Sequence, residues 1–235
     1  MAAELIQLDD PEISVAIRRS KQARRLTLTV PHDGGPPRVT APPRVAVSEI
    51  RMFLLRQGDW LRQAIDRVPA PEVVQIGGKL PVAGHMLEIV ERTGVRRPPF
   101  INEGRLVIQG GDPAAAAKRI EIWLKEVARA ALTPIAEDCA EAVGGRIGKI
   151  TMRDTKGRWG SCSSDGNLNF SWRLAMAPLA VLDYVAAHEA AHLIEMNHGP
   201  RFWALVEDLR PDWREQRAWL RKEGGALHRY RFAAH

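Results

Sequence analysis

Residues 178–203 read PLAVLDYVAAHEAAHLIEMNHGPRFW, and within them His188-Glu189-Ala190-Ala191-His192 forms the H-E-x-x-H pattern. Pro178 suits the first turn of a helix, and the apolar run behind it predicts that the helix continues through the motif. Two imidazoles four residues apart then project from one helical face and, across a rise of about 6 Å, can meet one cation. Tetrahedral zinc accepts imidazole nitrogen at about 2.0–2.1 Å. Glu189 points about 100° round the helix, where its carboxylate reaches a metal-bound water instead of the metal, so its expected role is general base.

A catalytic zinc ion takes a third protein ligand and leaves a position for water. His198 is the first candidate, with Asn197 or Gly199 expected in the left-handed conformation that ends the helix and swings His198 back. The spacing of the three histidines equals that of metzincins, but Glu195 stands where that pattern has glycine. An acid of the next helix, Asp212, Glu207 or Glu215, is the alternative third ligand.

Working outward, Ile150 to Asp154 and Asn167 to Trp172 read as strands, with Thr155 to Ser164 as a glycine-containing loop between them. Apolar positions from Ala114 to Val143 keep a helical period that stops at Gly144-Gly145, with Pro134 as a potential kink. Short β-branched runs between glycines, such as Leu87 to Val90 and Leu106 to Ile108, form a second β-section before a soft boundary near Asp112-Pro113. Ser48 is a candidate N-cap for a helix from Glu49 to about Val68. Leu26 to Val30 and Arg38 to Thr40 form a hairpin turned at His32-Asp33-Gly34-Gly35.

Arg158-Trp159-Gly160-Ser161-Cys162-Ser163, Trp172-Arg173-Leu174, Asp183-Tyr184-Val185, the H-E-x-x-H motif, and Asn197-His198 with Phe202-Trp203 carry a resemblance. The chain resembles the YgjP-like metal-dependent hydrolases, relatives of the SprT and WLM zincin-type metalloproteases. The likeness covers nearly the whole chain and is most specific from Arg158 to Trp203. It implies that His188, His192 and His198 bind Zn2+ and that Glu189 is the catalytic base. Ala190-Ala191 departs from the larger apolar residue usual at this place, which bears on packing and not on ligands. The expected fold is α+β. A zincin-like catalytic half, 113–235, carries the motif helix and a small antiparallel sheet, and an N-terminal β-hairpin and helix section occupies 1–112, the two forming separate or continuous units.

The leading expectation for function is a metallopeptidase acting on a peptide or protein that pairs with Asn167–Trp172 or Ile150–Asp154. Arg158 is the candidate donor to the oxyanion, ahead of Tyr184; a structural salt bridge from Arg158 is an equal reading. Phosphoanhydride hydrolysis of a nucleotide is the alternative, since Arg153, Lys156, Arg158 and Arg173 lie near the motif in sequence and some relatives are described as nucleoside triphosphate pyrophosphatases. Gly77-Gly78-Lys79 lacks the spacing of a phosphate loop. A third class is nucleic-acid binding through two basic groups, Arg18, Arg19, Lys21, Arg24 and Arg25, and Arg217, Arg221, Lys222, Arg229 and Arg231.

The composition agrees with a globular protein: 235 residues, 45% hydrophobic. The apolar stretch from Leu174 to Leu182 is interrupted by Pro178 and is far shorter than the roughly 20 residues of a membrane span. With no basic-then-apolar leader and two cysteines, Cys139 and Cys162, read as reduced thiols, the expected location is cytoplasmic. Net charge is +6, which favours acidic partners. Trp123, Trp203, Trp213 and Trp219 read as core anchors, Cys162 as a buried thiol or a neighbour of the metal, and His228 and His235 as parts of a polar tail.

Overall fold

The computed structural model describes residues 4–9, 12–31 and 34–232. It divides into two compact units, Met1–Pro71 and Glu72–His235. In the first unit, strands β1 (Glu4–Asp9), β2 (Glu12–Arg19), β3 (Thr27–Thr29) and β4 (Arg38–Ala41) form a sheet in the order β1-β2-β4-β3. β2 and β4 run parallel, and the other pairs are antiparallel. Alternation turns Ile6, Leu8, Val15, Ile17 and Val39 to one face, where Ile50, Leu54 and Leu61 cover them. The hairpin of β3 and β4 matches expectation, while its turn residues His32 and Asp33 lie outside the described residues.

The single helix expected over Glu49–Val68 is two helices, α1 (Val47–Arg56) and α2 (Gly58–Asp66), joined at Gln57 (φ −99°, ψ 10°). Glycine at position 58 propagates a helix poorly, which favours the interruption. The N-cap of α1 is Ala46, which has no side-chain cap; Ser48 lies inside the helix.

The second unit begins with β5 (Glu72–Val73). A four-stranded sheet follows, made of β6 (Lys79–Val82), β7 (His85–Arg92), β8 (Phe100–Asn102) and β9 (Arg105–Gln109) in the order β6-β7-β9-β8. Its buried residues Leu80, Leu87, Ile89, Leu106 and Ile108 share one core with Ile120, Leu124 and Leu132 of α3 (Ala116–Ala142). The division therefore falls at Pro71–Glu72 and not near Asp112-Pro113: the sheet buries its apolar face under the long helix and belongs with it. Asp112 caps a 3-10 turn ahead of that helix, its Oδ1 accepting from the Ala114 N–H at 2.9 Å.

Beyond α3, β10 (Ile150–Arg153), β11 (Gly160–Cys162) and β12 (Leu168–Ser171) form a sheet in the order β10-β12-β11. It is mixed, not antiparallel throughout, because β10 runs parallel to β12. β11 lies in the stretch expected as loop. The helices α4 (Leu179–Ala191), α5 (Pro200–Leu209) and α6 (Trp213–Lys222) follow, and β13 (Tyr230–Arg231) pairs in parallel with β5. The architecture is α+β, as expected. No helix among the described residues is long and apolar enough to cross a membrane.

Two features fix α4 in place. It is buried on nearly every side, with Val181, Leu182, Val185, Ala186, Ala187, Ala190 and Ala191 all in the core, as befits a helix apolar all round. Ala187 and Ala190 close against Cys139 of α3, so the alanine at 190 serves this close contact, while Ala191 joins the main core. Just ahead of α4, the buried Arg173 donates to Asp154 (2.7 Å), Leu227 O (2.9 Å) and Tyr230 O (3.2 Å) and lies over the Trp172 ring. Replacing Ala187 by Leu in this closed contact is expected to destabilise the fold by about 1–3 kcal/mol. Urea denaturation measures it, and an unchanged midpoint would show slack between α3 and α4.

Candidate metal centre

α4 ends as the motif ends. His188 and Glu189 occupy its last turn and His192 is the C-cap (φ −68°, ψ −15°). Neither Asn197 nor Gly199 is left-handed; Gly199 is extended (φ −82°, ψ −176°) and caps α5, whose first residue is Pro200. The return of the chain comes from a tight turn in which the Gly199 N–H donates to Asn197 O at 2.7 Å. That turn places His198 Nε2 3.2 Å from His188 Nε2, and one nitrogen from each of His188, His192 and His198 lies within 4.8 Å of the others. Phe202 of α5, fully buried, meets all three rings at centroid distances of 4.8, 4.4 and 4.7 Å.

The rings are prepared to donate lone pairs. His192 Nδ1 lies 3.0 Å from Glu195 O, and a carbonyl only accepts, so Nδ1 carries the proton and Nε2 the lone pair. Burial pushes His188 down to about 3, with His192, His198 and Arg217 adding to the effect, and burial also lowers His192. Two nitrogens at the corners of a tetrahedral zinc ion stand roughly 3.3 Å apart. The 3.2 Å separation of His188 and His198 is close to that edge. Neutral imidazoles at this spacing fit a borderline-soft divalent cation.

The acids of the following helix are engaged elsewhere. Glu207 accepts from Trp213 Nε1 at 2.6 Å and from Arg214, and Asp212 accepts from Gln216 Nε2 at 3.0 Å. Among the described residues, the group that can hold a metal is His188, His192 and His198, without Glu215 or either of the others.

Glu189 is 5% exposed and lies against β11. A Cβ added at Gly160 would come within 2.5 Å of its Cγ and 2.7 Å of its Cδ, so any larger residue at this place forces the carboxylate to move. Burial pushes the Glu189 carboxyl up to about 8, opposed by the charge of Arg158. Arg158 is exposed and enters no ion pair among the described residues, which removes the reading of it as a structural salt bridge. Burial, with a contribution from Glu189, raises the Cys162 thiol to about 11; protonated, it donates weakly to Ser163 O. Tyr184 is pushed up to about 12 by burial and stays a hydroxyl, 3.4 Å from His188 Nδ1.

β11 is an edge strand of the small sheet. Ser171 N–H donates to Trp159 O and Ser163 N–H to Asn167 O, so by alternation the backbone groups of Gly160 and Cys162 point away from β12. β12, the core of the expected Asn167–Trp172 strand, is paired on both sides and has no free edge. Sequence reasoning also missed Gly160 as a shape requirement and gave Arg217 only to a basic group, whereas its guanidinium lies 4.8 Å over Trp203 and its charge adds to the lowering at His188. Two expectations are corrected: Arg173 is a buried structural group, and His228 is buried and stacked on Trp159 at 5.2 Å rather than part of a polar tail. His235 lies outside the described residues.

A family model described as YgjP-like, metallopeptidase domain matches residues 24–223. No curated protein and no solved structure matches the chain significantly. After dialysis against metal-free buffer and titration with zinc, the chain is expected to retain about one ion, read by elemental mass spectrometry. His198→Ala should weaken retention by more than about 100-fold, beyond the cost of losing an outer partner, while Asp212→Ala leaves it unchanged. The opposite pattern would transfer the third-ligand role to the acid.

Proposed function

The chain belongs to the YgjP-like metallopeptidase family, and from that premise we propose that it is a zinc-dependent peptidase with His188, His192 and His198 as ligands and Glu189 as general base. The observation that carries this reading is the convergence of three imidazole nitrogens beside a buried carboxylate that lies against an edge strand. A divalent cation held there supplies Lewis acidity, polarising the scissile carbonyl and making water acidic near neutral pH.

The protein's own groups do the rest. The edge of β11 receives an extended peptide, with the outward backbone groups of Gly160 and Cys162 as its hydrogen-bonding partners. Glu189 takes the proton of the attacking water and returns it to the leaving amine, acting as base and then as acid. Arg158, with its guanidinium uncommitted, donates to the oxyanion. His192 keeps its orientation through Glu195 O, and the apolar floor of Phe202 excludes water from beneath the rings. Phosphoanhydride hydrolysis stands second, because Arg173, one of the four basic residues that favoured it, is consumed by Asp154 and two carbonyls.

Replacing Glu189 by Gln is expected to keep the zinc and to lower peptide hydrolysis by about 10²–10⁴-fold. Turnover of an unstructured protein substrate against zinc content measures it, and unchanged turnover would remove Glu189 from the reaction. Gly160→Ala is expected to behave alike, zinc retained and turnover down by at least about tenfold, because the new methyl displaces the carboxylate. Release of pyrophosphate from nucleoside triphosphates, with peptides left intact, would replace the peptidase reading.

A further inference from the structure

The basic run of the first unit has no place in the hydrolytic site. Between Arg18 and Arg44 stand seven lysines and arginines against one acid, Asp33. Arg19 is spent on structure: it pairs with Glu4 and donates to the carbonyls of Pro43 and Val45. Arg18, Lys21, Arg24 and Arg25 are exposed and form no ion pair among the described residues. Leaving such charges unneutralised costs little in water and provides a field for an anionic ligand.

These charges border two adjoining cavities. One, of about 650 Å³, is lined by Ser20, Gln22, Arg24, Arg25, Thr27 and Thr40. The other, of about 280 Å³, is lined by Arg25, Thr27, Leu28, Phe53, Gln57 and Trp60. Arg25 and Thr27 belong to both, so the two adjoin at β3, an edge strand of its sheet, and Arg25 shares the smaller one with Trp60. No acidic side chain lines either part. Trp60 is 48% exposed, a large aromatic surface left to water although the unit's core lies beside it. The aromatic platform that is absent from the basic run in sequence is supplied from α2.

We propose that this edge of the first unit binds single-stranded nucleic acid, with a base stacked on Trp60 and the adjoining phosphates held by Arg25 and Arg24. Stacking on an aromatic face beside a basic track is the arrangement by which single strands are bound without regard to sequence. A duplex keeps its bases stacked on one another and has none to offer Trp60. An acidic peptide would satisfy the arginines but leave the indole unused.

The test uses the full chain and fluorescence anisotropy with labelled oligomers of about 20 nucleotides, oligo-dT and oligo-U, and a duplex of the same length. Binding to both single strands, tighter than to the duplex and weakening steeply from about 50 to about 200 mM salt, is expected. Arg24→Ala with Arg25→Ala should lower the slope of log affinity against log salt by about 1.4, since each neutralised phosphate of a single strand contributes roughly 0.7. Trp60→Ala should weaken binding about 5- to 150-fold with the slope unchanged, and Trp60→Phe should restore most of it. Both sites are exposed, so an unchanged melting curve verifies the fold. No binding at low salt, equal binding of the duplex, indifference to Trp60→Ala, or preference for vesicles of anionic lipid would each overturn the proposal. The readout does not depend on hydrolysis, and Glu189→Gln protein is expected to bind equally, so its failure is distinct from failure of the peptidase reading.

Discussion

Ala187 and Ala190 meet Cys139 across the contact of α4 with α3, and none of the three has appreciable surface left to water. Small side chains let the two helix backbones approach closely, and α4 is then enclosed by α3, the 3-10 segment Trp172–Met176, β11, α5 and α6. A helix enclosed in this way cannot shift without reopening the core. The position of its last turn is therefore fixed by packing within that turn, and with it the directions of His188, Glu189 and His192. The apolar surroundings that hold the helix are also what keep His188 neutral and raise the Glu189 carboxyl. Packing and electrostatics have one cause here.

The other half of the site comes from chain reversal. α4 stops at His192, and the seven residues to Gly199 carry His198 back to the ring of His188. Phe202, in the first turn of α5, is the surface on which the three imidazoles rest, so the loop is pinned at both ends by buried residues. The cluster of three imidazoles rests on a short segment whose freedom is removed by its anchors, which is the condition for a preorganised donor set.

What could be read in the sequence was what periodicity and motif chemistry encode. The spacing of His188, Glu189 and His192 carries its meaning locally, and the long helix ending before Gly144 announces itself by its apolar period. β11 could not be read so: Gly160-Ser161-Cys162 has little strand propensity and is a strand because β12 pairs with it. The same holds for Arg173 and His228, polar residues that look exposed in sequence and are buried through partners more than fifty residues away. Asp112-Pro113 was a true signal read at the wrong level, the cap of a helix and not the end of a unit. Gly160 is the instructive residue at the site. Its role is the absence of a side chain, and only the carboxylate pressed against it reveals that.

β13 pairs with β5, so the second unit closes by joining its last strand to its first, and the carbonyls of Leu227 and Tyr230 complete the bonds of a guanidinium buried since residue 173. During synthesis these partners emerge 54 and 57 residues after the arginine they serve. The first unit has its whole sheet and both helices once residue 66 has emerged and can fold while translation continues. The second has to wait, its core open at β5 and at Arg173, until residues 227–231 leave the exit tunnel. The two units thus become foldable at different points along the chain, the first once residue 66 is made and the one that carries the three histidines only with residues 227–231.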